Sequence, residues 1–329
     1  MTELLDVHTG PSYVLARGVV APRVNRCVAL GGGVSNVVLL IETDSRRVVV
    51  KQALGRLRVA DLWEAPVGRI VTEARALRFA AHVLTGEVPE VLDVDPAAHA
   101  MTIAAAPAEW VSWKDRLLDG TIEVDIADRL GVALAALHNA PTDSADWLDQ
   151  PAAFRALRVD PYHHAVAARM PNVARPIREL AAEMAVQRCC FVHGDYSPKN
   201  VLVGDESLWL IDFEVAHLGD PTFDVAFLLN HLLLKAVRRP AWLPLYRRCA
   251  NEFLNSYAGR SAYATLASGR YLVRHLGCLL LARAVGKSPA EYLDAHSREV
   301  ATELGTAALL EDVDTVDQLW TRLATLNPP

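Results

Sequence analysis

The stretch FVHGDYSPKNVLVGDESLWLIDFE, residues 191–214, sets five acidic residues and one histidine among apolar strand-formers. Carboxylates brought together repel unless something positive sits between them. Asp195 and Asn200 are five apart, and Asp212 follows after a second apolar run. An Asn oxygen and an Asp oxygen are hard ligands that match Mg²⁺, which prefers oxygen donors and keeps several waters. A further carboxylate, Asp195, need not hold the metal and is free to orient a hydroxyl and accept its proton. That division of labour belongs to phosphoryl transfer from a nucleotide.

Such a reaction needs a phosphate cradle and a lysine upstream, and both precede the acidic stretch in order. Gly31, Gly32 and Gly33 can bring backbone N–H groups close to phosphate oxygens, with Ser35 and Asn36 completing the turn. Lys51, ending the strand-like VVVK, can reach the α- and β-phosphates as a point charge. A plain hairpin loop and a solvent-facing strand-end lysine explain each feature taken alone. Lys51 would pair with an acid further along the chain, and by position Glu73 is preferred to Glu64, which precedes Pro66. The ordered set carries the argument.

The elements that position these residues divide into a sheet-rich front and a helix-rich back. CVALGGGVSNVVLLIET and RRVVVKQAL read as strands joined in a hairpin. GRIVTEARALRFAAHVL has helical spacing, with Ile70, Ala74, Leu77, Ala81 and Leu84 on one face. VPEVLDVDPAAHAMTIAAAP gives two short strands about the Asp95-Pro96 turn. TIEVDIADRLGVALAALHNAP is an amphipathic helix. Residues 191–214 give two short strands with a loop between, and the chain from Asp224 onward is mostly helical. The expected division is 1–105 as an N-terminal lobe and 106–329 as a C-terminal lobe.

Composition narrows the function classes. The chain has 329 residues, 52% hydrophobic and 22% charged, as is ordinary for a globular protein. Neither a membrane span nor an export signal is expected: VAFLLNHLLLKAV is interrupted by Asn230, His231 and Lys235, and the first ten residues carry acids. Five cysteines form no C-x-x-C pair, which fits a reducing cytoplasm. Residues 1–105 balance 11 bases against 11 acids, so the net charge of −6 falls in residues 106–329. That sign argues against nucleic acid as a partner. It favours a cationic or metal-bound partner, and an ordinary solvated surface accounts for it as well.

His193-x-Asp195 followed by Asn200 and then Asp212-Phe213 resembles the catalytic and metal-binding pair of the protein-kinase-like fold. The longer pattern HGDYSPKN…IDFE…GDPTFDVA is similar to the aminoglycoside phosphotransferase family, with choline/ethanolamine and methylthioribose kinases as relatives. Gly194 and Ser197 stand where protein kinases carry Arg and Lys, which points to a small-molecule acceptor. The resemblance implies an α+β, bilobal fold: an antiparallel sheet lobe with one main helix that binds nucleotide, and a mostly helical lobe for catalysis and the acceptor. It implies ATP and Mg²⁺ as cofactors and a hydroxylated small molecule (aminoglycoside, sugar or amino alcohol) as acceptor. Asp195 is then the catalytic acid–base residue, and Asn200 and Asp212 the metal ligands.

The resemblance also puts a hinge at residues 104–107. Ala106 offers a backbone donor to the base there, because Pro107 has none. Asp220 and Asp224 take supporting roles, and His193 braces the loop. Glu214 stands either near a second metal or behind the first ligands, and Lys199 faces either phosphate or solvent. Arg283 is either a contact to the acceptor or transferring phosphate, or a helix-surface arginine. Two rivals are a metal-dependent phosphohydrolase built on His193, Asp195, Asp212 and His217, and a catalytically silent nucleotide-binding module.

Overall fold

The structure is a computed structural model that describes residues 3–328 apart from residues 22, 32, 60, 61, 144 and 206. The described chain divides into two units, one of residues 1–111 with 201–216 and the other of 112–200 with 217–329.

The first unit opens with α1 (Gly10–Ala16), β1 (Val24–Ala29), β2 (Asn36–Thr43) and β3 (Arg47–Ala53). α2 (Arg69–Val83), β4 (Val91–Asp95) and β5 (Ala100–Ala104) follow. The strands form one antiparallel sheet in the order β1-β2-β3-β5-β4. Alternation along β3 puts Val48 and Val50 on one face, where they join Val14 of α1 with Val37, Leu39 and Ile41 of β2 in a buried cluster. Lys51, one residue out of phase, therefore points to the opposite face, which α2 covers. It lies within β3 rather than at its end. α2 buries Ile70, Ala74 and Leu77, but Ala81 is exposed and Ala80 takes its place.

After β6 (Val111–Ser112) the second unit runs through α3 (Trp113–Asp119), α4 (Val124–Asn139), α5 (Ala152–Phe154), a π-helical segment Arg155–His164, α6 (Ala165–Arg169), α7 (Ala174–Val186) and β7 (Cys190–Val192). The chain then returns to the first unit for the hairpin of β8 (Val201–Val203) and β9 (Leu208–Leu210). Residues 191–214 thus hold one more strand than their sequence suggested. β9 is fixed to the turn after α2, where the Leu210 N–H donates to the Glu87 carbonyl at 2.8 Å and Trp209 Nε1 to that of Gly86 at 3.0 Å.

β10 (His217–Gly219) pairs antiparallel with β7, and α8 (Pro221–Arg238), α9 (Leu243–Ala258), α10 (Gly269–Val285), α11 (Ala295–Leu310) and α12 (Val316–Leu326) complete the second unit. The apolar run VAFLLNHLLLKAV lies in α8, which is buried along most of its length. Gly131 lets α4 approach α9 closely: a Cβ there would stand 2.5 Å from the Phe253 carbonyl oxygen. That approach sets the end of α4, and with it His138. Among the described residues no helix is long and apolar enough to cross a membrane.

Candidate active site

In the first unit a buried ammonium is the hub. Lys51 Nζ donates to Glu73 Oε1 at 2.5 Å and to Asp212 Oδ1 at 2.7 Å. Of the two acids weighed for Lys51, it is Glu73 on α2 that it contacts, whereas Glu64 lies before α2 and pairs through its backbone with Arg56 in an isolated antiparallel β-bridge. Asp212 follows β9 and is one of two non-glycine residues among those described with positive φ, at 70°. Such a conformation is costly and tends to persist where the surroundings over-determine it. Here the lysine contact is part of that determination.

A second cation was not anticipated. Arg69, at the start of α2, is fully buried and donates from Nε to Glu214 Oε2 at 3.0 Å. Its other nitrogens reach the carbonyls of Pro66 and Leu54 at 2.9 and 3.0 Å, and that of Ser35. Glu214 also accepts from Ser35 Oγ and from Asn36 Nδ2, both at 2.8 Å. The side chains of Ser35 and Asn36, expected in the phosphate turn, are thus committed to Glu214. The signal for Arg69 was present: it lies one helical turn before Glu73, on the same face.

Lys51 and Arg69 bring two positive charges to the three carboxylates of Glu73, Asp212 and Glu214, leaving one negative charge over. One oxygen of each carboxylate lies within 4.8 Å of the others, which would suit a cation. Asp212 is the most exposed of the three, at 19% of its side chain against 1% for Glu73 and 5% for Glu214. The donor set therefore fits a hard divalent ion with Asp212 as its accessible ligand. Burial pushes Glu73 up to about 7, with Lys51 opposing and the other two carboxylates adding to the rise. Burial works against the Lys51 charge, but Asp212 and Glu73 outweigh it and hold its pKa above the ordinary lysine value.

The glycine loop leads into β2. Gly31 and Gly33 are exposed, neither has positive φ, and an added Cβ at either would meet nothing within 4 Å. Gly32 lies outside the described residues. Nothing among the described residues demands glycine at these two positions. At the opposite end of the β2–β3 pair, Arg47 donates to the Ala106 carbonyl at 2.8 Å. Among the described residues the Ala106 N–H makes no hydrogen bond.

In the second unit the loop after β7 holds Asp195. Gly194 has φ 77°, a conformation that favours glycine. Asp224, wholly buried on α8, accepts from the backbone N–H groups of His193 at 2.7 Å and Gly194 at 2.8 Å. Burial opposes its charge, but His138 and the loop donors win and hold it below the usual carboxylate range. Asp220 caps α8 and accepts from Tyr271 at 2.5 Å. Asn200 Nδ2 donates to the Asp195 carbonyl at 2.9 Å, which leaves Oδ1 as the side chain's ligand atom.

The carboxylate of Asp195 is itself held. Its Oδ2 lies 2.8 Å from an Arg158 nitrogen and 3.3 Å from Lys199 Nζ, and Arg158 Nε donates to the Gly194 carbonyl at 2.9 Å. Oδ1 has no partner among the described residues. Arg158 sits in the π-helical segment, where no regular period marks a residue as inward-facing. Arg283, near the end of α10, donates to the carbonyl and hydroxyl oxygens of Ser288 at 2.5 and 2.8 Å. Among the described residues the one close group of three or more His, Cys, Asp or Glu side chains contains no histidine, and within the second unit the His217 ring stacks on Phe154 at 4.0 Å.

These features define a protein-kinase-like fold, with a strand lysine tied to a helix glutamate and to the aspartate of a following Asp-Phe segment. The chain belongs to the phosphotransferase enzyme family (APH), whose model matches residues 26–266. It is 27% identical over 267 residues to methylthioribose kinase 2 of Oryza sativa subsp. japonica, covering 70% of this chain and 62% of that one. To the methylthioribose kinase of Escherichia coli O45:K1 it is 23% identical over 248 residues, covering 65% and 58%. The chain thus spans about three fifths of the length of these curated relatives. A spectinomycin phosphotransferase solved with ADP and spectinomycin superposes with a TM-score of 0.56 at 13% identity, covering 98% of this chain and 99% of that one. An amicoumacin kinase solved with AMP-PNP and Ca²⁺ gives 0.54 at 14% identity, covering 90% and 92%.

Two predictions follow from the buried charges. Arg69→Met strands the Glu214 carboxylate and should cost about 3–5 kcal/mol in urea unfolding, most of it recovered in the Arg69→Met/Glu214→Gln double variant. Equal losses in the single and double variants would show that the pair is not coupled. Because folding raises the Glu73 pKa from 4.5 to about 7, its contribution to stability is present at low pH and lost as pH rises through that window. Ligand-free thermal stability should therefore fall between pH 5 and 8 by more in the wild type than in Glu73→Gln, and parallel pH profiles would contradict the assignment.

Proposed function

We propose that this chain moves the γ-phosphoryl group of ATP, with Mg²⁺, to a hydroxyl of a small molecule. The observation that carries the reading is Lys51, buried and bonded to both Glu73 and Asp212. In phosphoryl transfer that lysine meets the α- and β-phosphates and that aspartate a metal ion. Residues 1–105 serve as the nucleotide-binding lobe. Backbone N–H groups of Gly31–Gly33 approach the phosphates, a role that accounts for glycine where no internal contact requires it. The Ala106 N–H donates to the adenine.

Asp212 and Asn200 Oδ1 are the residues that would hold Mg²⁺. The ion supplies charge neutralisation to the phosphates. Residues 106–329 bring Asp195 and the acceptor. Asp195 Oδ2 lies in ion pairs with Arg158 and Lys199, though among the described residues in no hydrogen bond, and Oδ1 receives the hydrogen bond of the acceptor hydroxyl. A carboxylate is too weak a base to ionise an alcohol beforehand, so orientation contributes as much as basicity. As the hydroxyl oxygen bonds to the γ-phosphorus, its proton passes to Asp195. The bond from phosphorus to the β–γ bridging oxygen breaks, and ADP leaves with that electron pair. Relatives named for methylthioribose and neighbours crystallised with spectinomycin or amicoumacin support a small hydroxylated acceptor.

Asp195→Asn should leave MgATP affinity within about threefold while lowering kcat by about 10²–10⁴-fold. Asp212→Ala should instead weaken nucleotide binding, and only when Mg²⁺ is present. Calorimetry and an ADP-release assay separate the two, and wild-type turnover in Asp195→Asn would remove the assigned role.

A further inference from the structure

The second unit holds a group of cations that the phosphoryl-transfer machinery does not use. Lys235 lies on α8, two helical turns beyond Phe227, whose ring sits 5.7 Å from the Arg158 guanidinium carbon. Arg158 in turn holds Asp195. Phe227 and His231 have ring centroids 5.4 Å apart, and the His231 carbonyl accepts from Lys235 Nζ at 3.3 Å. The face of α8 therefore leads from the Asp195 loop to Lys235 over about 12 Å.

Lys235 is 1% exposed, and among the described residues no carboxylate forms an ion pair with it. Its ammonium lies 5.5 Å from the centre of the Tyr292 ring, which Arg238 also faces at 5.8 Å. The Tyr292 hydroxyl and Arg283 Nε are buried with no hydrogen-bond partner. Tyr292 Oη and Arg283 Nε thus lack an acceptor, and Lys235 Nζ has the His231 carbonyl but no carboxylate among the described residues. Lys114 and Lys199 add charge nearby, and of the surrounding acids Glu291 is taken by Lys114 and Asp115 accepts from Ser112. Burial, then Lys114 and Arg283, lower the Lys235 pKa to about 7 against the weaker pull of Glu291 and Asp115. Burial and the cations Lys235, Arg283, Lys199 and Lys114 push His231 well below its usual value.

We infer that Lys235, Arg283 and Tyr292 form a subsite for an anionic group of the acceptor, so that the substrate is a hydroxylated carboxylate or phosphate with its charge several bonds from the reacting hydroxyl. This rests on the phosphotransferase reading and reverses the preference for a cationic acceptor drawn from the net charge. An anion bound there supplies the missing acceptor to Tyr292 Oη and Arg283 Nε and an opposite charge to Lys235. The residues are positioned to read the acceptor; none touches the transferring phosphoryl group.

The test uses matched acceptors of similar reach: 6-hydroxyhexanoate, hexane-1,6-diol and 6-aminohexan-1-ol, and D-glucuronate, D-glucose and D-glucosamine. ATP consumption should favour the anion of a set by at least tenfold in kcat/KM. Lys235→Met and the half-buried Arg283→Gln should each raise its KM at least tenfold while leaving the KM for ATP within twofold. Preference for the neutral or cationic member, or an unchanged acceptor KM in both variants, would overturn the subsite and leave the kinase standing. A readout without turnover guards against an unsuitable panel: sulfate should raise the melting temperature of the wild type by more than that of Lys235→Met or Arg283→Gln. Equal shifts in all three proteins would also overturn it. No transfer to any compound, together with no binding of MgATP, would bring down both readings.

Discussion

The first unit depends on one ammonium kept charged away from water. Lys51 would be expensive to bury alone, and its two carboxylates make the burial tolerable. The contact joins three pieces distant in sequence: a central strand, the helix that follows, and the segment after β9. It also helps to hold Asp212 in a conformation the backbone disfavours. Arg69 repeats the device beside it, tying Glu214 to the end of the glycine loop through Ser35 and Asn36. The candidate metal ligand thus inherits its position from buried pairs that do not themselves need the metal.

The second unit solves a different problem. A carboxylate proposed to meet an acceptor hydroxyl must keep one oxygen available while its loop stays fixed. Asp224 fixes the loop from beneath by accepting from two successive backbone N–H groups, and His138 keeps that acid charged. Arg158 fixes it from the side and engages only Oδ2 of Asp195. Around Lys235 the opposite condition holds: among the described residues its ammonium has no carboxylate, and Tyr292 Oη and Arg283 Nε have no acceptor. Asymmetry of this kind is costly in a folded protein unless something outside the chain completes it.

Much of the arrangement was legible because it follows simple periods. Alternation in VVVK and helical spacing through Glu73 place both residues in their elements, and the order of motifs supplies the rest. The path fails where the period fails. Arg158 lies in a π-helical segment containing Pro161, and no pattern there identifies an inward arginine. Arg69 is readable from its spacing to Glu73, one helical turn away on the same face. Ala80 replaces Ala81 at the buried face because the helix has 3.6 residues per turn and the assignment drifted by one. Lys235 counted as an interruption of an apolar run, and a net charge of −6 obscured a locally positive region. Net charge sums a surface; a subsite is set by the few groups that face it.

The account rests most directly on Lys51. Titration of ATP into the protein with and without Mg²⁺, in the wild type and in Lys51→Met, tests it in one experiment. The account predicts metal-dependent binding by the wild type and an affinity about 10- to 100-fold lower in the variant, the loss expected for a charge-assisted contact. Equal MgATP affinity in the two proteins would contradict it.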